Sequence, residues 1–368
     1  MKIICTQENL NKGLSIVSQA VGSDSTLPVL ANVLIQTEGG QLKLSTTDIK
    51  TGITVKIRGK VEEAGSVTVP AKLLSEYIRS LPAENITLQS QDKILKISCG
   101  DFNATLNGID PEEFPLIPKI KDKEICSVDA SDFIEIVSKV AFAAASDESR
   151  PELAGVFMSL SGNQLTLAAT DSYRLAEGII KDVKISGKPK NAIVPAKTFS
   201  ELLHIIGQDA EEKLKISLSE NEMMFEYGDS SLVTRLVEGQ YPDYKQIIPD
   251  NFQTEALYDR EQFLQGIKVT GLFAKAGAND LRFEFNVPAQ TTSLEASSSQ
   301  VGKNLSKIKA KIKGETSEVI FNYRYLLDGL NSLKTEQVVF LTNSSSGPGI
   351  LRSSKADGYT YVVMPIKQ

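Results

Sequence analysis

Alternating apolar and polar residues cover most of this chain, interrupted by six stretches in which apolar residues recur at three- and four-residue intervals. Alternation is typical of half-buried antiparallel strands, whereas the longer period predicts amphipathic helices. The predicted helices span about residues 8–21, 71–80, 131–142, 197–206, 260–273 and 323–333. Short strands fill the spaces between them, and the low-complexity segment 290–300 is expected to be mobile.

The sequence Val-Pro-Ala-Lys occurs twice, at residues 69–72 and 194–197, each time between a β-branched run and a predicted helix. Proline suits a helix start because its missing N–H would have no partner there. Other landmarks recur in the same order at separations of 123, 123, 125 and 127 residues: Pro28 and Pro151, Thr47-Asp48 and Thr170-Asp171, Pro70 and Pro195, Phe114-Pro115 and Tyr241-Pro242. So long a period indicates duplicated domains rather than a solenoid.

The chain is therefore predicted to contain three domains of similar fold, at 1–121, 122–251 and 252–368. The third is inferred from its length and from the order of its elements, since it lacks the Val-Pro-Ala-Lys signature. Each domain has two predicted helices and about six to eight short strands. Two helices cannot cover both faces of such sheets, so they should gather on one side, which is an α+β architecture.

Composition indicates a globular cytoplasmic protein. Hydrophobic residues make up 41% and charged residues 23% of the 368 residues, and no apolar run is long enough to span a membrane. The N-terminus has no signal-peptide core. Three widely spaced cysteines, Cys5, Cys99 and Cys126, follow no metal-binding pattern and favour a reducing compartment.

Candidate catalytic residues are few. His204 is the only histidine, without a nearby cysteine or carboxylate cluster, and we interpret it as a partly exposed helix residue. The phosphate-binding, zinc-protease and nucleophile-elbow motifs are missing from the sequence. Asp48 and Asp171 occupy matching turns; an acid–base pair can be imagined, but an aspartate in a turn more often accepts backbone hydrogen bonds. We expect no enzyme, no metal and no cofactor.

Charge gives only weak support for nucleic-acid binding. The formal charge is −6, whereas proteins that grip nucleic acids are usually basic. Lysines 303, 307, 309, 311 and 313 include four at a spacing of two residues, which either solubilise an edge strand or contact DNA. The six predicted helices together carry +2 and the rest of the chain −8, which suggests a helical surface that tolerates phosphate.

Four sequences resemble the bacterial DNA polymerase III beta subunit family, the sliding clamps. They are Thr-Leu-Pro-Val-Leu at 26–30, Ala-Thr-Asp-Ser-Tyr-Arg-Leu at 169–175, Tyr-Pro-Asp-Tyr at 241–244 followed by Ile248-Pro249, and Tyr-Val-Val-Met-Pro-Ile at 361–366. The resemblance runs along the whole chain and is weaker across 275–320. It implies a head-to-tail homodimer that closes into a ring around duplex DNA, with helices lining the inner face and sheets outside.

The geometry of such a ring is reasonable. Twelve helices spaced at ~10 Å trace a circle ~38 Å across, which leaves a hole of roughly 28 Å once a helix diameter is subtracted. A closed ring cannot fall off, so its DNA contacts can be few, nonspecific and screened by salt.

The resemblance also assigns residues to three sites. A hydrophobic cleft that takes short peptides of polymerases and of the clamp loader would comprise Leu153, Thr170, Ser172, Tyr173, Arg174, Leu175, Pro242, Ile247, Val362, Met364, Pro365 and Ile366. The DNA-facing residues would be Lys12, Lys72, Arg79, Lys139, Arg150, Lys197 and Lys268. The subunit interface would set Tyr77, Leu81, Ala104 and Leu106 against Leu272 and Phe273 of the second copy.

Several residues depart from the family pattern. Asp24 and Ser25 stand where the family often has arginine, and the loop at 145–151 is acidic with Arg150 as its only cation. Ala104 is smaller than the expected aromatic residue. Besides a processivity ring, two other classes remain open: a peptide-binding scaffold that does not bind DNA, and an enzyme that uses Asp48 or Asp171.

Overall fold

The computed structural model describes residues 1–22, 27–118, 120, 124–147, 149–207, 210–275, 278–343, 345–355 and 358–367. These residues form two compact units. Unit 1 comprises Met1–Phe133, Val183–Lys188 and Lys197–Leu236, and unit 2 comprises Ile134–Asp182, Pro189–Ala196 and Val237–Gln368. Within the described residues there are six α-helices: α1 Gln7–Val17, α2 Ala71–Ser80, α3 Ala130–Val140, α4 Ala196–Ile206, α5 Arg260–Ala274 and α6 Tyr323–Ser332.

Unit 1 contains two antiparallel sheets. Strands are numbered along the chain: β1 Lys2–Thr6, β2 Asn32–Glu38, β3 Gln41–Thr47, β4 Thr51–Ile57, β5 Lys60–Glu63, β6 Ser66–Pro70, β7 Asn85–Gln91, β8 Ile94–Cys99, β9 Phe102–Asn107, β10 Cys126–Asp129, β14 Lys184–Ile185, β16 Lys213–Leu218, β17 Glu222–Tyr227 and β18 Ser230–Arg235. The smaller sheet has the order β5-β1-β7-β8-β9, and the larger β14-β10-β16-β17-β18-β4-β3-β2-β6. Strands from the first and second thirds of the sequence therefore share one sheet.

Unit 2 repeats this arrangement. Its strands are β11 Gly155–Ser161, β12 Gln164–Thr170, β13 Arg174–Ile180, β15 Lys190–Pro195, β19 Thr254–Asp259, β20 Asp280–Asn286, β21 Thr291–Ser298, β22 Gly302–Lys309, β23 Lys311–Gly314, β24 Ser317–Asn322, β25 Gln337–Thr342, β26 Gly349–Ser353 and β27 Tyr359–Val363. The nine-stranded sheet has the order β15-β11-β12-β13-β27-β26-β25-β19-β23, and the four-stranded sheet β22-β21-β20-β24.

The helix starts follow from the sequence. The side chains of Thr6, Asp259 and Asn322 cap α1, α5 and α6 by accepting backbone N–H bonds, and such caps satisfy donors that have no partner in the first turn. Helices α2 and α4 begin directly after Pro70 and Pro195, as the repeated signature predicts.

Helix pairs pack against the sheets of each unit. In unit 1, α1 contacts α2 and strands β3 and β4, and the Ser18 and Ser75 hydroxyls lie 3.1 Å apart. In unit 2, α5 contacts α6 and strands β21 and β22. Gly266 of α5 lets the Ile308 side chain approach, because a Cβ there would lie 2.3 Å from Ile308 Cδ1.

In each unit, one strand pairing connects two different thirds of the sequence: the first and second thirds in unit 1, and the second and last thirds in unit 2. In unit 1, β4 pairs with β18 and sets Gly52 opposite Val233. In unit 2, β13 pairs with β27 and sets Leu175 opposite Val362. We call these pairings junction 1 and junction 2.

The expectation that residues 290–300 are mobile is wrong. Residues 291–298 form β21, which pairs with β20 on one side and β22 on the other. Alternate residues of this strand, Thr292, Leu294 and Ala296, are buried, as in a half-buried strand. The lysine-rich residues 303–313, which were expected to form one strand, lie on two strands, β22 and β23. In the part of the chain that the structure describes, none of the helices is long and apolar enough to cross a membrane.

Candidate functional site

The turn at residues 170–174 is built by its own side chains. Thr170 Oγ1 donates to the Arg174 carbonyl at 2.6 Å and accepts from the Ser172 N–H at 3.1 Å. Asp171 Oδ1 accepts from the N–H groups of Tyr173 and Arg174 at 3.0 and 2.9 Å. Ser172 sits at φ 77°, in the left-handed region that small polar residues tolerate better than branched ones. The aspartate is thus a turn-forming residue, as predicted.

Arg174 holds this turn against α6 and against the short 3-10 helix Ala141–Ala143, both in unit 2. Its guanidinium donates to Asp171 Oδ2 at 2.9 Å, to Asp328 Oδ2 at 2.6 Å and to the Phe142 carbonyl at 3.1 Å. It also lies 4.9 Å from the ring centre of Tyr325 and 5.5 Å from that of Phe142. The side chain is only 14% exposed.

The charges around Arg174 keep it ionised. Burial acts to lower the pKa of Arg174, but Tyr361, Asp171 and Asp328 outweigh burial and raise it. Two carboxylates and a carbonyl satisfy a guanidinium well because its donors form a fixed fork. Arg174 is therefore a fixed, charged anchor at one side of the site.

The floor of the site is apolar. Leu175 and Val362 are buried and pack with Ala168, Tyr241 and Tyr244. The Tyr244 hydroxyl donates to Glu177 Oε2 at 2.7 Å, and burial followed by this carboxylate raises the pKa of Tyr244. The segment that carries Tyr241 and Tyr244 is thereby fixed on the sheet.

The rim of the site is exposed and partly aromatic. Tyr173 is 63% exposed and its ring stacks on Tyr325 with centroids 6.4 Å apart. The Met364 N–H donates to the Tyr173 carbonyl at 2.8 Å, and Ile366 N–H donates to the Ile320 carbonyl at 2.8 Å. These bonds place the C-terminal segment beside the turn, where Met364 offers an adaptable apolar side chain.

The twelve residues predicted for the cleft all lie in unit 2. Buried are Leu153, Thr170, Leu175 and Val362; half-buried are Arg174, Met364, Pro365 and Ile366; exposed are Ser172, Tyr173, Pro242 and Ile247. Sequence reasoning missed Phe142, Tyr325 and Asp328, which hold Arg174. A signal existed for Asp328: by the repeat it corresponds to Glu201, an acidic residue at the same position of the second helix in the preceding domain.

The predicted DNA-facing cations fall into three groups. Lys12, Lys72, Arg79 and Lys268 are exposed on α1, α2 and α5. Arg150 bonds to Glu152 and to Ser172 Oγ, both at 3.3 Å, and Lys197 bonds to Asp48 Oδ2 at 3.1 Å. Of the two loops at 24–25 and 146–149 that depart from the family pattern, Asp24, Ser25 and Glu148 lie outside the residues that the structure describes. Asp147 is described and exposed, and it accepts the Ser149 N–H at 2.9 Å and the Ser149 hydroxyl at 2.8 Å.

Lys139 requires a correction. It is only 6% exposed, pairs with Glu135 at 2.7 Å and lies 5.6 Å from the ring centre of Tyr359. Helix α3 places this side chain against Tyr359, whose hydroxyl donates to the Lys139 carbonyl at 2.8 Å. The ammonium is therefore used inside unit 2 and is not presented to a phosphate.

The residues predicted for a subunit interface lie partly on an open sheet edge. Ala104 and Leu106 are half-buried on β9, an edge strand, whereas Tyr77 is half-buried on α2 and Leu81 is buried at the end of that helix. In unit 2, Leu272 is 68% exposed and Phe273 half-buried. Two further large apolar side chains on edge strands are exposed: Phe102 on β9 and Leu305 on β22, 55% and 54% exposed.

The remaining candidates for chemistry have ordinary roles. His204 is exposed on α4. Asp48 accepts N–H bonds from Lys50 and Thr51. Among the described residues there is no group of three or more His, Cys, Asp or Glu side chains placed to hold a metal ion.

Comparison with known proteins gives matches along the whole chain. Three family models of the DNA polymerase III beta subunit match this chain: the N-terminal domain matches residues 1–118, the central domain residues 127–243 and the C-terminal domain residues 245–367. A "Beta sliding clamp" of Synechococcus elongatus is 33% identical over 374 residues, covering 100% of this chain and 99% of its relative. One of Staphylococcus aureus is 27% identical over 359 residues, covering 95% and 94%.

Solved structures of sliding clamps also match the whole chain. The DNA polymerase sliding clamp of Bacillus subtilis superposes with a TM-score of 0.95 at 26% identity, covering 100% of this chain and 99% of that one. A sliding clamp of Pseudomonas aeruginosa bound to griselimycin gives 0.94 at 27% identity, with 100% of both chains covered.

Proposed function

Because this chain belongs to the DNA polymerase III beta subunit family, the bacterial sliding clamps, we propose that it is the processivity ring of a replicative polymerase: two copies encircle duplex DNA. The observation that carries this proposal is the succession of three clamp domains over residues 1–367. We place their boundaries at 1–121, 122–251 and 252–368. The ring needs no catalysis, metal or cofactor, and it acts in the cytoplasm, where the chromosome is.

Retention on DNA follows from topology in this proposal. A ring that surrounds the duplex leaves only by opening or by reaching an end, so weak contacts suffice and permit sliding. Lys12, Lys72, Arg79, Arg150, Lys197 and Lys268 are the proposed DNA-facing cations, without Lys139. Lys197 and Arg150 reach phosphate only by exchanging their present partners, so the exposed cations of α1, α2 and α5 matter most.

Partner binding is proposed for the cleft at junction 2. An apolar floor of Leu175 and Val362, the flexible Met364 and the fixed guanidinium of Arg174 suit a short peptide with apolar side chains. The peptide is proposed to be a segment of the replicative polymerase or of the clamp loader. The exposed Tyr173–Tyr325 stack supplies a flat wall on which an apolar or aromatic side chain can pack.

The homodimer is proposed to form head to tail through the edge strands. Strand β9 of one copy would meet β22 of the second, because each has an open edge and an exposed large apolar residue, Phe102 and Leu305. Exposed edges of this kind invite pairing with a second chain. Leu272, 68% exposed on α5, would be covered at the same time.

Retention on closed DNA tests the ring. With a clamp loader and ATP, the protein should stay on a nicked circular duplex through gel filtration in high salt, and cutting the circle should release it. Mass measurement should give about twice the 40.0 kDa chain. A monomer, or equal retention on linear and circular DNA, would contradict the ring and favour the scaffold hypothesis.

The cleft is tested separately. Met364→Glu should abolish stimulation of polymerase processivity while the preformed dimer keeps its mass. Lys355→Glu, an exposed position outside the cleft, is the matched control. If Met364→Glu left processivity unchanged, the cleft would be placed wrongly even if the ring were correct.

A further inference from the structure

Junction 1 carries a second pocket, in unit 1, with a volume of about 440 Å³. It is lined by the turn that follows Thr47 and by Pro115, Leu116 and Pro118. Its apolar wall consists of Ile49, Pro115, Leu116, Pro118 and Val233. Leu116 is 96% exposed and Ile49 is 57% exposed, so two large apolar side chains border an open space.

This pocket occupies the position that corresponds, by the internal duplication, to the cleft at junction 2. The strand pairings β4–β18 and β13–β27 set the correspondence. Seven lining residues match cleft positions: Thr47 matches Thr170, Ile49 matches Ser172, Lys50 matches Tyr173, Gly52 matches Leu175, Pro115 matches Pro242, Val233 matches Val362 and Arg235 matches Met364.

The chemistry of the pocket differs from that of the cleft by two cations. Lys50 and Arg235 stand where the cleft has Tyr173 and Met364, and both are exposed. Their backbones are adjacent, since the Arg235 N–H donates to the Lys50 carbonyl at 2.9 Å. Among the described residues, neither side chain has an ion-pair or hydrogen-bond partner, so both charges are free to meet an anion.

Acidic residues limit where that anion can lie. Glu220 and Glu222 line the pocket from the turn between β16 and β17, and Glu222 is the cross-strand neighbour of Arg235. A ligand carboxylate is therefore attracted by Lys50 and Arg235 and lies on the side of these cations that faces away from the two glutamates. Its apolar part then faces Ile49 and Leu116.

Ile49 itself is costly to the fold. Its φ is 77°, and a branched residue in the left-handed region is strained. Serine fills the same position at junction 2, so the turn does not need isoleucine. Strain of this kind is often retained at binding sites, and here the strained side chain is the one that projects apolar surface at the pocket.

We propose that this pocket binds a short peptide segment with a bulky apolar side chain next to a carboxylate. The inference rests on the proposed cleft, whose duplicate it is, but the two sites take different peptides because Lys50 and Arg235 replace Tyr173 and Met364. One chain then holds two different partner segments at once.

Selection of peptides tests both sites in one experiment. A displayed library of random octapeptides is selected on the full-length protein, and enriched peptides are synthesised with a fluorophore and titrated by fluorescence polarisation. Three variants are compared with the original chain: Arg235→Glu in the pocket, Met364→Glu at the matching position of the cleft, and Arg58→Glu as a control on an exposed cation outside both sites.

We expect two classes of peptide. Peptides for the pocket carry an acidic residue beside a large apolar one, and Arg235→Glu weakens them by about 10-fold or more, as does Leu116→Ser. Met364→Glu and Arg58→Glu leave them unchanged. Peptides for the cleft show the reverse pattern and confirm that Arg235→Glu is folded.

The proposal is overturned if all enriched peptides depend on Met364, or if those weakened by Arg235→Glu are weakened equally by Arg58→Glu. The absence of a Met364-dependent class would instead contradict the proposed cleft. If Arg235→Glu does not fold, Leu116→Ser decides alone, because a side chain that is almost fully exposed can be truncated without loss of packing.

Discussion

The turns of junctions 1 and 2 have the same backbone and different ion pairs. At junction 1, Thr47 Oγ1 donates to the Thr51 carbonyl at 2.8 Å, and Asp48 Oδ1 accepts two N–H bonds at 3.0 and 2.7 Å. This is the pattern of Thr170 and Asp171, and the residue that follows the aspartate has φ 77° in both.

The cation that meets each aspartate comes from a different place. At junction 1 it is Lys197, on α4 and 64% exposed; at junction 2 it is Arg174, within the turn and 14% exposed. Backbone bonds within a turn are satisfied locally, so the turn survives any change of side-chain partner. The duplicated frame is therefore constant, whereas the groups that it presents diverged into a buried anchor and a surface pair.

The largest expected effect comes from removing the buried anchor. Arg174→Ala leaves Asp171 and the Phe142 carbonyl without their partner, and we expect a loss of about 3 kcal/mol in the free energy of unfolding. Lys197→Ala removes an ammonium that is 64% exposed, and at pH 5, where Glu201 with its pKa of about 7 holds a proton, it should cost less than about 1 kcal/mol. Urea denaturation of both variants checks the contrast, and equal losses would mean that the two junctions are energetically alike.

The second expected effect is that the stability of the fold depends on pH through Glu201, which lies near the turn of junction 1. Burial raises the pKa of Glu201 to about 7, although Lys197 acts to lower it. Among the described residues, neither carboxylate oxygen of Glu201 has a hydrogen-bond partner, although the Lys197 ammonium lies 3.4 Å from Oε1. Because this pKa is higher in the folded state than its ordinary 4.5, the fold should lose stability as pH rises from about 4.5 through 7.

Glu201→Gln should remove that loss. Between pH 5 and pH 8 the free energy of unfolding of the variant should fall by about 2 kcal/mol less than that of the original chain. Glu76→Gln, at the matching exposed position of α2, reports the effect of removing a charge alone. Parallel pH profiles for the original chain and Glu201→Gln would show that Glu201 is ionised at little cost.

A smaller effect tests whether the two turns are equivalent. Thr47→Val and Thr170→Val each remove one donated and one accepted hydrogen bond at a residue 5% exposed. We expect each to lower the free energy of unfolding by about 1–2 kcal/mol, by equal amounts within error. A difference larger than that range would mean that the surrounding ion pairs contribute to the turns after all.

The smallest effect is a gain. Ile49→Asn should stabilise unit 1 by about 1 kcal/mol, because asparagine tolerates the left-handed conformation better than a branched residue. Ser172→Asn is the matched control and should change stability little. Thermal denaturation measures both, and a loss of stability in Ile49→Asn would show that the side chain contributes packing that outweighs its strain.

Sequence alone determined the elements and their repetition. The periods of apolar residues, Pro70 and Pro195 before their helices, and the Thr-Asp turns are encoded within a few residues, because backbone bonding in helices and turns is local. The resemblance to the clamp family also followed from local sequences. These features could be predicted without knowing what packs on what.

Only the tertiary structure decided which side chains are free. Lys139 and Lys268 look alike in sequence, yet one is buried against Tyr359 and the other exposed, since that depends on strands far along the chain. Contacts between residues distant in sequence also set the partners of Arg174, the open edges of β9 and β22 and the pocket around Ile49. Burial and pairing are set by contacts between residues distant in sequence, which no local pattern records.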